Sequence, residues 1–313
     1  MSNSTSNSNL TSTSHLPPSI HLHPHRQFLQ NLYCSTLFQR SIVQSVSAAL
    51  QEDLGQGDIH ATLFPATQIS TAGIICREHA ILCGCQWVEE TFRQLSPDIQ
   101  LQWFVKDGDT VQPNQTLVNI NGPTALLLSG ERTALNFLQT LMGTATLSAQ
   151  YHARLSQTNT RLLDTRKTIP GLRLAQKYAV AIAGGVNHRI GLWDAFLIKE
   201  NHIAAAGGIR KAVALARHSS PDTFLEIEVE TLVELDEVLP LNVDRVLLDN
   251  FSIDELHQAV QRRAAVSSTC DFEASGNVTL DTIKDIANTG VDYVSIGALT
   301  KHVNAVDLSF RIV

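Results

Sequence analysis

Hydrophobic and polar positions follow two different rhythms along this chain. From about Gln27 to Ala49, "FLQNLYCSTLFQRSIVQSVSAAL" carries apolar residues at helical spacing, and "EDLGQGD" then breaks the pattern. "STAGIICREHAILCGCQWVEETF" predicts short strands leading into a helix. "WFVKDGDTVQPNQTLVNINGP" predicts strand–turn–strand, with turns at Asp107-Gly108 and Pro113-Asn114. "SGERTALNFLQTLMGTATLSAQYHARL" predicts an amphipathic helix that starts near Ser129, Glu131 and Arg132. Leu135, Leu138, Met142 and Ala145 fall near one face of it.

After this helix, apolar β-rich runs alternate with helical patterns. The predicted strands are "RLLDT", "AFLIK", "FLEIEV", "RVLLD", "CDFEAS" and "YVSIG". The helices between them are roughly "LRLAQKYAVAIAG", "GGIRKAVALARH", "TLVELDEVL", "SIDELHQAVQRRA" and "TLDTIKDIANTG". Such alternation predicts βα units around a parallel sheet. Gly290 stands where a helix should end, just before the last strand. A closed (β/α) barrel and an open doubly wound sheet both fit, and both gather the strand ends on one side. No GxGxxG follows the first strand, which counts against a dinucleotide-binding sheet.

Composition narrows the class. The chain has 313 residues, 43% of them hydrophobic, enough for a core in one or two domains. No apolar run approaches the roughly 20 residues that cross a bilayer, so a soluble protein without membrane partners is expected. The net charge of −7 argues against nucleic-acid binding. Cys34, Cys76, Cys83, Cys85 and Cys270 are scattered and odd in number, which fits a reducing, cytoplasmic compartment rather than a disulfide framework. Cys83-Gly84-Cys85 lacks the second pair that a zinc site needs. The N-terminal Ser/Asn/Thr/Pro/His stretch has no signal-peptide pattern and too little apolar surface to order itself. A disordered tail over residues 1–25 is the expectation, in spite of the closely spaced His21, His23 and His25.

Each strand ends in a chemically capable group. Arg166 and Lys167 follow "RLLDT", adjacent cations in an acidic chain that repel each other unless an anion lies between them. Lys199 ends "AFLIK", and His188 and Arg189 precede that strand. Taken singly, each of these reads as a solvated or structural residue. Taken together, at positions a βα repeat gathers, they form a cationic set suited to carboxylates and phosphates. Glu228 and Asp249 end two apolar strands as the acidic counterpart. They read as structural ion-pair partners, or as ligands of ribose hydroxyls or Mg²⁺, or as support for a cationic centre. The turns "EASGNV" (Ser275, Gly276, Asn277) and "SIGALT" (Ile296, Gly297, Ala298) offer backbone N–H groups for a phosphate.

The blocks "GERTALNFLQTLMGTAT", "DTRKTIPGLRLAQKYAVAIAGGVNHRIGLWDAFLIKENH", "EIEVE", "VLLDN", "EASGNV" and "TGVDYVSIGALTKHV" resemble the quinolinate phosphoribosyltransferases. The likeness runs from Glu52 nearly to the C-terminus. It implies an N-terminal α/β sandwich over residues 26–143, joined by the C-terminal segment 300–313, and an incomplete parallel α/β barrel over 144–299 that carries the active site. It also implies a reaction: quinolinate and phosphoribosyl pyrophosphate give nicotinate mononucleotide, pyrophosphate and CO₂, with Mg²⁺ as cofactor. A homodimer, alone or assembled further into a hexamer, is implied with it. Arg132 matches the arginine that enters the partner's site. Thr165, Arg166, Lys167, His188, Arg189 and Lys199 match the substrate pocket, and Glu228 and Asp249 the ribose- and metal-side acids. Ser275–Asn277 and Ile296–Ala298 match the phosphate turns. Lys167, Lys199, Glu228 and Asp249 are expected to be catalytic.

Departures from the family pattern are chemically small: Ala183 in a glycine run, Glu200 for Asp, Ile169 for Thr, and Met142 and Thr144 in the helix. The nearest rival reading is nicotinate phosphoribosyltransferase on the same architecture. The density of carboxylate-binding cations favours quinolinate. "VKDGDTVQPNQTLVNI" resembles a biotinyl or lipoyl carrier turn, but the carrier lysine between two methionines is missing. A catalytically dead binding protein is disfavoured by the intact charged set.

Overall fold

The computed structural model describes residues 23–313 of the chain. Most of the expected tail, including His21, lies outside the described residues. His23 to His25 do not behave as a tail: the helix Pro24–Asn31 begins there, with His23 as its cap. A short 3₁₀ turn, Leu32–Cys34, and a second helix, Thr36–Leu54, follow. The predicted single helix is split at Ser35, whose extended backbone and side-chain oxygen cap the second helix by accepting the Phe38 N–H at 3.2 Å.

Two sheets organise the rest. β1 (Ile69–Cys76), β3 (Gln100–Trp103), β5 (Thr116–Pro123) and the last strand, β12 (Leu308–Ile312), form an antiparallel sheet in the order β12-β1-β5-β3. A small pair, β2 (Ala80–Ile81) and β4 (Thr110–Val111), flanks it. The helix Cys85–Leu95 lays Val88 and Phe92 in the same core as Ile74, Leu117 and Ile120 of the sheet. The chain therefore returns to its N-terminal module after completing the second one.

The second sheet has six parallel strands: β6 (Arg161–Leu163), β7 (Phe196–Ile198), β8 (Leu225–Val229), β9 (Arg245–Asp249), β10 (Asp271–Ser275) and β11 (Tyr293–Ser295). Their order is β6-β11-β10-β9-β8-β7. The first strand pairs with the last, and sequence neighbours remain spatial neighbours from β7 to β11. That is the order of a barrel opened between its first two strands. An open doubly wound sheet would change direction at a switch point. The gap is partly filled by Val186, which bridges in parallel to Leu163. The fold is thus an α/β sandwich beside an incomplete parallel barrel.

The helix Thr124–Arg154, 31 residues long, ties the two modules together. It starts five residues before the expected Ser129, at the end of β5, so Arg132 lies within it rather than at its tip. Its Leu135, Leu138 and Met142 belong to the sandwich core, and its Tyr151 to the barrel core. Gly143 sits where the two meet. A Cβ there would lie 2.2 Å from the backbone oxygen of Asn304, so only glycine lets the returning chain pass.

Alternation along the barrel strands sorts their side chains. Ile227, Val246, Leu248, Phe272, Ala274 and Val294 face the surrounding helices and fill the apolar core. Their neighbours Glu226, Glu228, Arg245, Glu273 and Ser295 are buried and polar, and face the barrel axis.

Candidate active site

The turn after β6 is fixed from behind. Asp164 and Lys177 are both fully buried, with Lys177 Nζ 2.5 Å from Asp164 Oδ1. The same carboxylate accepts Asn187 Nδ2 at 2.7 Å and the His188 backbone N–H at 2.8 Å. Lys177 Nζ also donates to the His188 carbonyl at 3.0 Å. Burial lowers the Lys177 pKa, and Asp164 opposes that shift. A few donors around one carboxylate thereby lock Thr165–Lys167 beside His188–Arg189.

On that platform the cations meet. Arg166 is half-buried and Arg189 is buried, and each has a buried Nε without a protein acceptor. Burial and then the Arg166 charge lower the Arg189 pKa. Two guanidinium groups that feel each other's charge and keep unpartnered Nε–H groups are suited to an anion. Lys167 is exposed and lies across Gly297, where a Cβ would come within 2.9 Å of its Cδ. The turns after β6 and β11 are therefore in contact.

The opposite side of the mouth is acidic. Lys199, after β7, pairs with Glu228 of β8. Burial raises the Glu228 pKa, Lys199 opposes the shift, and the charge of Asp249 adds to it. Asp249 accepts Asn250 Nδ2 at 2.7 Å. Gly276, at φ +105°, packs on Asn250, and a Cβ there would lie 2.1 Å from Asn250 Oδ1. The N–H groups of Gly276, Asn277 and Gly297 have no protein acceptor among the described residues. Ile296 differs from expectation: its N–H is used by Leu163 O at 3.0 Å and its side chain sits in the barrel core. The Ser275–Asn277 turn also lies several residues before the next helix, Ile283–Asn288, so it is a free loop rather than a helix start.

The strand ends thus bring together Thr165, Arg166, Lys167, His188, Arg189, Lys199, Glu228, Asp249, Gly276 and Gly297. Arg132 is apart from them. It is exposed, and its nearest charged partner is Glu131 at 3.9 Å. His188 is buried and turned inward: its Nδ1 accepts the Arg189 N–H at 2.7 Å, and its Nε2 lies 3.0 Å from Glu226 Oε2 and 3.5 Å from Glu273 Oε2. Burial pushes its pKa down to about 4, so it is a neutral imidazole near pH 7. Burial and the Glu226 charge push Glu273 up to about 7. Arg245 completes this inner group, 3.1 Å from Glu273 and stacked 4.1 Å over the Tyr293 ring.

Sequence reasoning missed the inner group and Lys177. The signal was present: Glu226 lies two residues before Glu228, and Glu273 two before Ser275, so strand alternation puts each pair on one face. Lys177 stands out as a cation in the apolar helix "RLAQKYAVAI".

The features so far define a class: an α/β-barrel protein with a mouth built around anions. Known proteins narrow it. Residues 58–142 match the family model described as "Quinolinate phosphoribosyl transferase, N-terminal domain", and residues 144–311 the model of its C-terminal domain. The chain belongs to the quinolinate phosphoribosyl transferase family. It is 37% identical over 262 residues to the "Probable nicotinate-nucleotide pyrophosphorylase [carboxylating]" of Bacillus subtilis, covering 83% of this chain and 90% of that protein. It is 38% identical over 291 residues to the "Quinolinate phosphoribosyltransferase [decarboxylating] 2a, mitochondrial" of Nicotiana tabacum, covering 84% of this chain and 80% of that one. The solved nicotinate-nucleotide pyrophosphorylase of Francisella tularensis superposes with a TM-score of 0.83 at 45% identity, over 88% of this chain and 96% of that one. Human nicotinic acid phosphoribosyltransferase superposes with a TM-score of 0.60 at 14% identity, over 87% of this chain and 74% of that one, and shares the fold alone.

Replacing Asp164 with Asn tests the platform. It leaves Lys177 buried without a counter-charge, which costs about 3–5 kcal/mol of folding stability. The double change Asp164→Asn, Lys177→Met should cost clearly less than the sum of the single changes in urea unfolding. A single-variant loss under about 1 kcal/mol, the level of an exposed pair, would contradict the role given to Asp164.

Proposed function

We infer that this protein is an enzyme that transfers the phosphoribosyl group of phosphoribosyl pyrophosphate to quinolinate, with loss of CO₂, giving nicotinate mononucleotide for NAD biosynthesis. The observation that carries this reading is the pair of guanidinium groups, half-buried Arg166 and buried Arg189, with buried, unpartnered Nε atoms in the mouth of a barrel of this family. A pyridine dicarboxylate supplies two planar anions to match them.

In this reading Arg166, Lys167 and Arg189 hold the two carboxylates, and His188 orients Arg189 through its backbone N–H. The pyridine nitrogen attacks the anomeric carbon of the ribose as the bond to pyrophosphate breaks. Lys167 and Lys199 sit where they neutralise the departing anion. Glu228 and Asp249 face the ribose and stabilise the positive charge that develops there. The N–H groups of Gly276, Asn277 and Gly297 receive the 5′-phosphate. Once the ring nitrogen is ribosylated and cationic, the bond from the adjacent ring carbon to its carboxylate breaks. CO₂ leaves, the electron pair stays on carbon, and that carbon takes up a proton. Holding the reactants in register is the chain's main contribution, and no covalent nucleophile is involved.

The mouth also fits Mg²⁺, a hard cation that prefers oxygen. Glu200, Glu228 and Glu230 bring one carboxylate oxygen each within 4.8 Å of one another, with Asp249 beside Glu228. Glu228 and Asp249 would hold the ion, which is brought mainly by pyrophosphate, and when bound it neutralises charge on the leaving group. The five cysteines are free thiols, which supports a reducing, cytoplasmic setting.

Arg132 is proposed to complete the site of a partner subunit in a homodimer, alone or within a hexamer. It is exposed and, among the described residues, makes no ion pair with its own mouth, which supports this. CO₂ release from carboxyl-labelled quinolinate should depend on phosphoribosyl pyrophosphate, and release without it, or none with it, would refute the reading. In the same assay Arg132→Ala and Lys199→Ala homomers should be nearly inactive. Co-refolded in equal amounts, they should recover up to about a quarter of wild-type activity, because half the dimers are mixed and each mixed dimer has one intact site. Demonstrated subunit exchange without recovery would place Arg132 outside the partner's site.

A further inference from the structure

Residues 23–33 grip the segment that carries His188 and Arg189, and they do so on both sides of it. On one side, Tyr33 Oη donates to Asn187 Oδ1 at 2.5 Å. Asn187 in turn donates to Asp164 and to the Lys177 carbonyl, at 2.7 and 2.8 Å. On the other side, His25 Nε2 lies 3.0 Å from Asp194 Oδ2, with both side chains buried. That carboxylate accepts the backbone N–H groups of Ile190 and Gly191, at 2.7 and 2.8 Å. It thereby closes the turn that begins at Arg189. Between these two contacts Leu29 and Leu32 pack on Ile190, and Phe28 meets Trp193 edge-on with ring centroids 5.6 Å apart. Arg26 pairs with Asp271 at the far end of the barrel, which anchors the arm there.

This arrangement exceeds what closing the barrel floor requires. Arg26 and His23, which meet Asp271, Tyr293 and Phe224, already cover that end. The hydrogen bonds of Tyr33 and His25 go instead to Asn187 and Asp194, which flank the pair in the mouth. We propose that residues 23–33 form a brace that sets the position of His188 and Arg189, with Tyr33 and His25 as positioning residues for the pyridine-dicarboxylate half of the substrate. The proposal rests on the assignment of Arg189 to that half. It assigns no role toward the phosphoribosyl half, whose residues Lys199, Glu228, Asp249, Gly276, Asn277 and Gly297 receive no hydrogen bond from the Tyr33 and His25 side chains, which bond to Asn187 and Asp194.

The asymmetry makes the test. Full-length Tyr33→Phe keeps the ring that packs edge-on against Phe38 and Tyr178, with centroids 5.0 and 5.1 Å away, and loses only the hydroxyl. His25→Ala loses the contact with Asp194, and His25→Gln retains an N–H donor near the Nε2 position. Steady-state KM for quinolinate, KM for phosphoribosyl pyrophosphate, kcat and Tm are measured for each, with Arg189→Ala alongside. Tyr33→Phe and His25→Ala should each raise the quinolinate KM roughly fivefold, the scale of one lost buried hydrogen bond, while the other KM and kcat change less than about twofold. His25→Gln should recover most of the loss. An unchanged quinolinate KM in both arm variants, with Arg189→Ala raising it, overturns the brace alone. A parallel rise of both KM values with a falling Tm also overturns it, since that is the signature of a structural role. An unchanged quinolinate KM in Arg189→Ala overturns the site assignment, and the brace with it.

Discussion

The mouth of this barrel depends on one buried ion pair. Asp164 follows β6 directly and Lys177 lies on the next helix, and neither is exposed to solvent. A buried pair of this kind is a poor source of net stability, because desolvation offsets most of the attraction. Its effect is geometric. The carboxylate has several acceptor positions, and here they take the lysine ammonium, an asparagine amide and the backbone N–H of His188. The lysine comes from the helix after β6, and the other two donors from the adjacent residues Asn187 and His188 of the loop that follows it. A barrel opened between these two strands has only the bridge of Val186 with Leu163, not a full ladder, to fix that segment. The ion pair does what the missing strand pairing would otherwise do.

Charge placement follows from this scaffold. The chain is acidic overall, yet Arg166 and Arg189 are gathered at low exposure with free Nε groups. Their repulsion is tolerated because the platform behind them is rigid. The inner layer of Glu226, Glu273 and Arg245 supplies compensating charge below the mouth. His188 separates the layers as a neutral ring, accepting from Arg189 on one nitrogen and facing Glu226 with the other. On the far side, Lys199 and Glu228 pair with each other, so the mouth is cationic around Arg166 and Arg189 and mixed in charge around Lys199 and Glu228.

Much of this was legible in the sequence. The six barrel strands were predicted from short apolar runs between helical patterns, and each was found in place, because every strand of a βα repeat buries an apolar face under the helices. That the charged residues at their ends lie on one side of the sheet was readable because the βα repeat has only one end to gather them on. Three kinds of feature were hidden. The split at Ser35 depends on a local cap that the helical periodicity of the flanking residues masks. Ile296 looked like a phosphate-turn residue, but sheet pairing consumes its N–H, which only register can reveal. The His23–His25 stretch looked like tail because its composition is polar. Its order comes from long-range contacts with Asp194, Phe224 and Asp244, which no local pattern encodes. The departures Met142 and Thr144 are both fully buried, and Thr144 accepts from Gln176 at 3.3 Å, so the helix packs around them without a gap in its hydrogen bonding.

The central claim is that the clustered cations exist for a second carboxylate on a pyridine ring. Calorimetric titration of the full-length protein with pyridine-2,3-dicarboxylate and with pyridine-3-carboxylate, at the same ionic strength, measures this directly. One added charge-assisted pair is worth about 1.5–3 kcal/mol, so the dicarboxylate should bind roughly 10- to 150-fold more tightly. Equal affinities for the two acids would contradict the account.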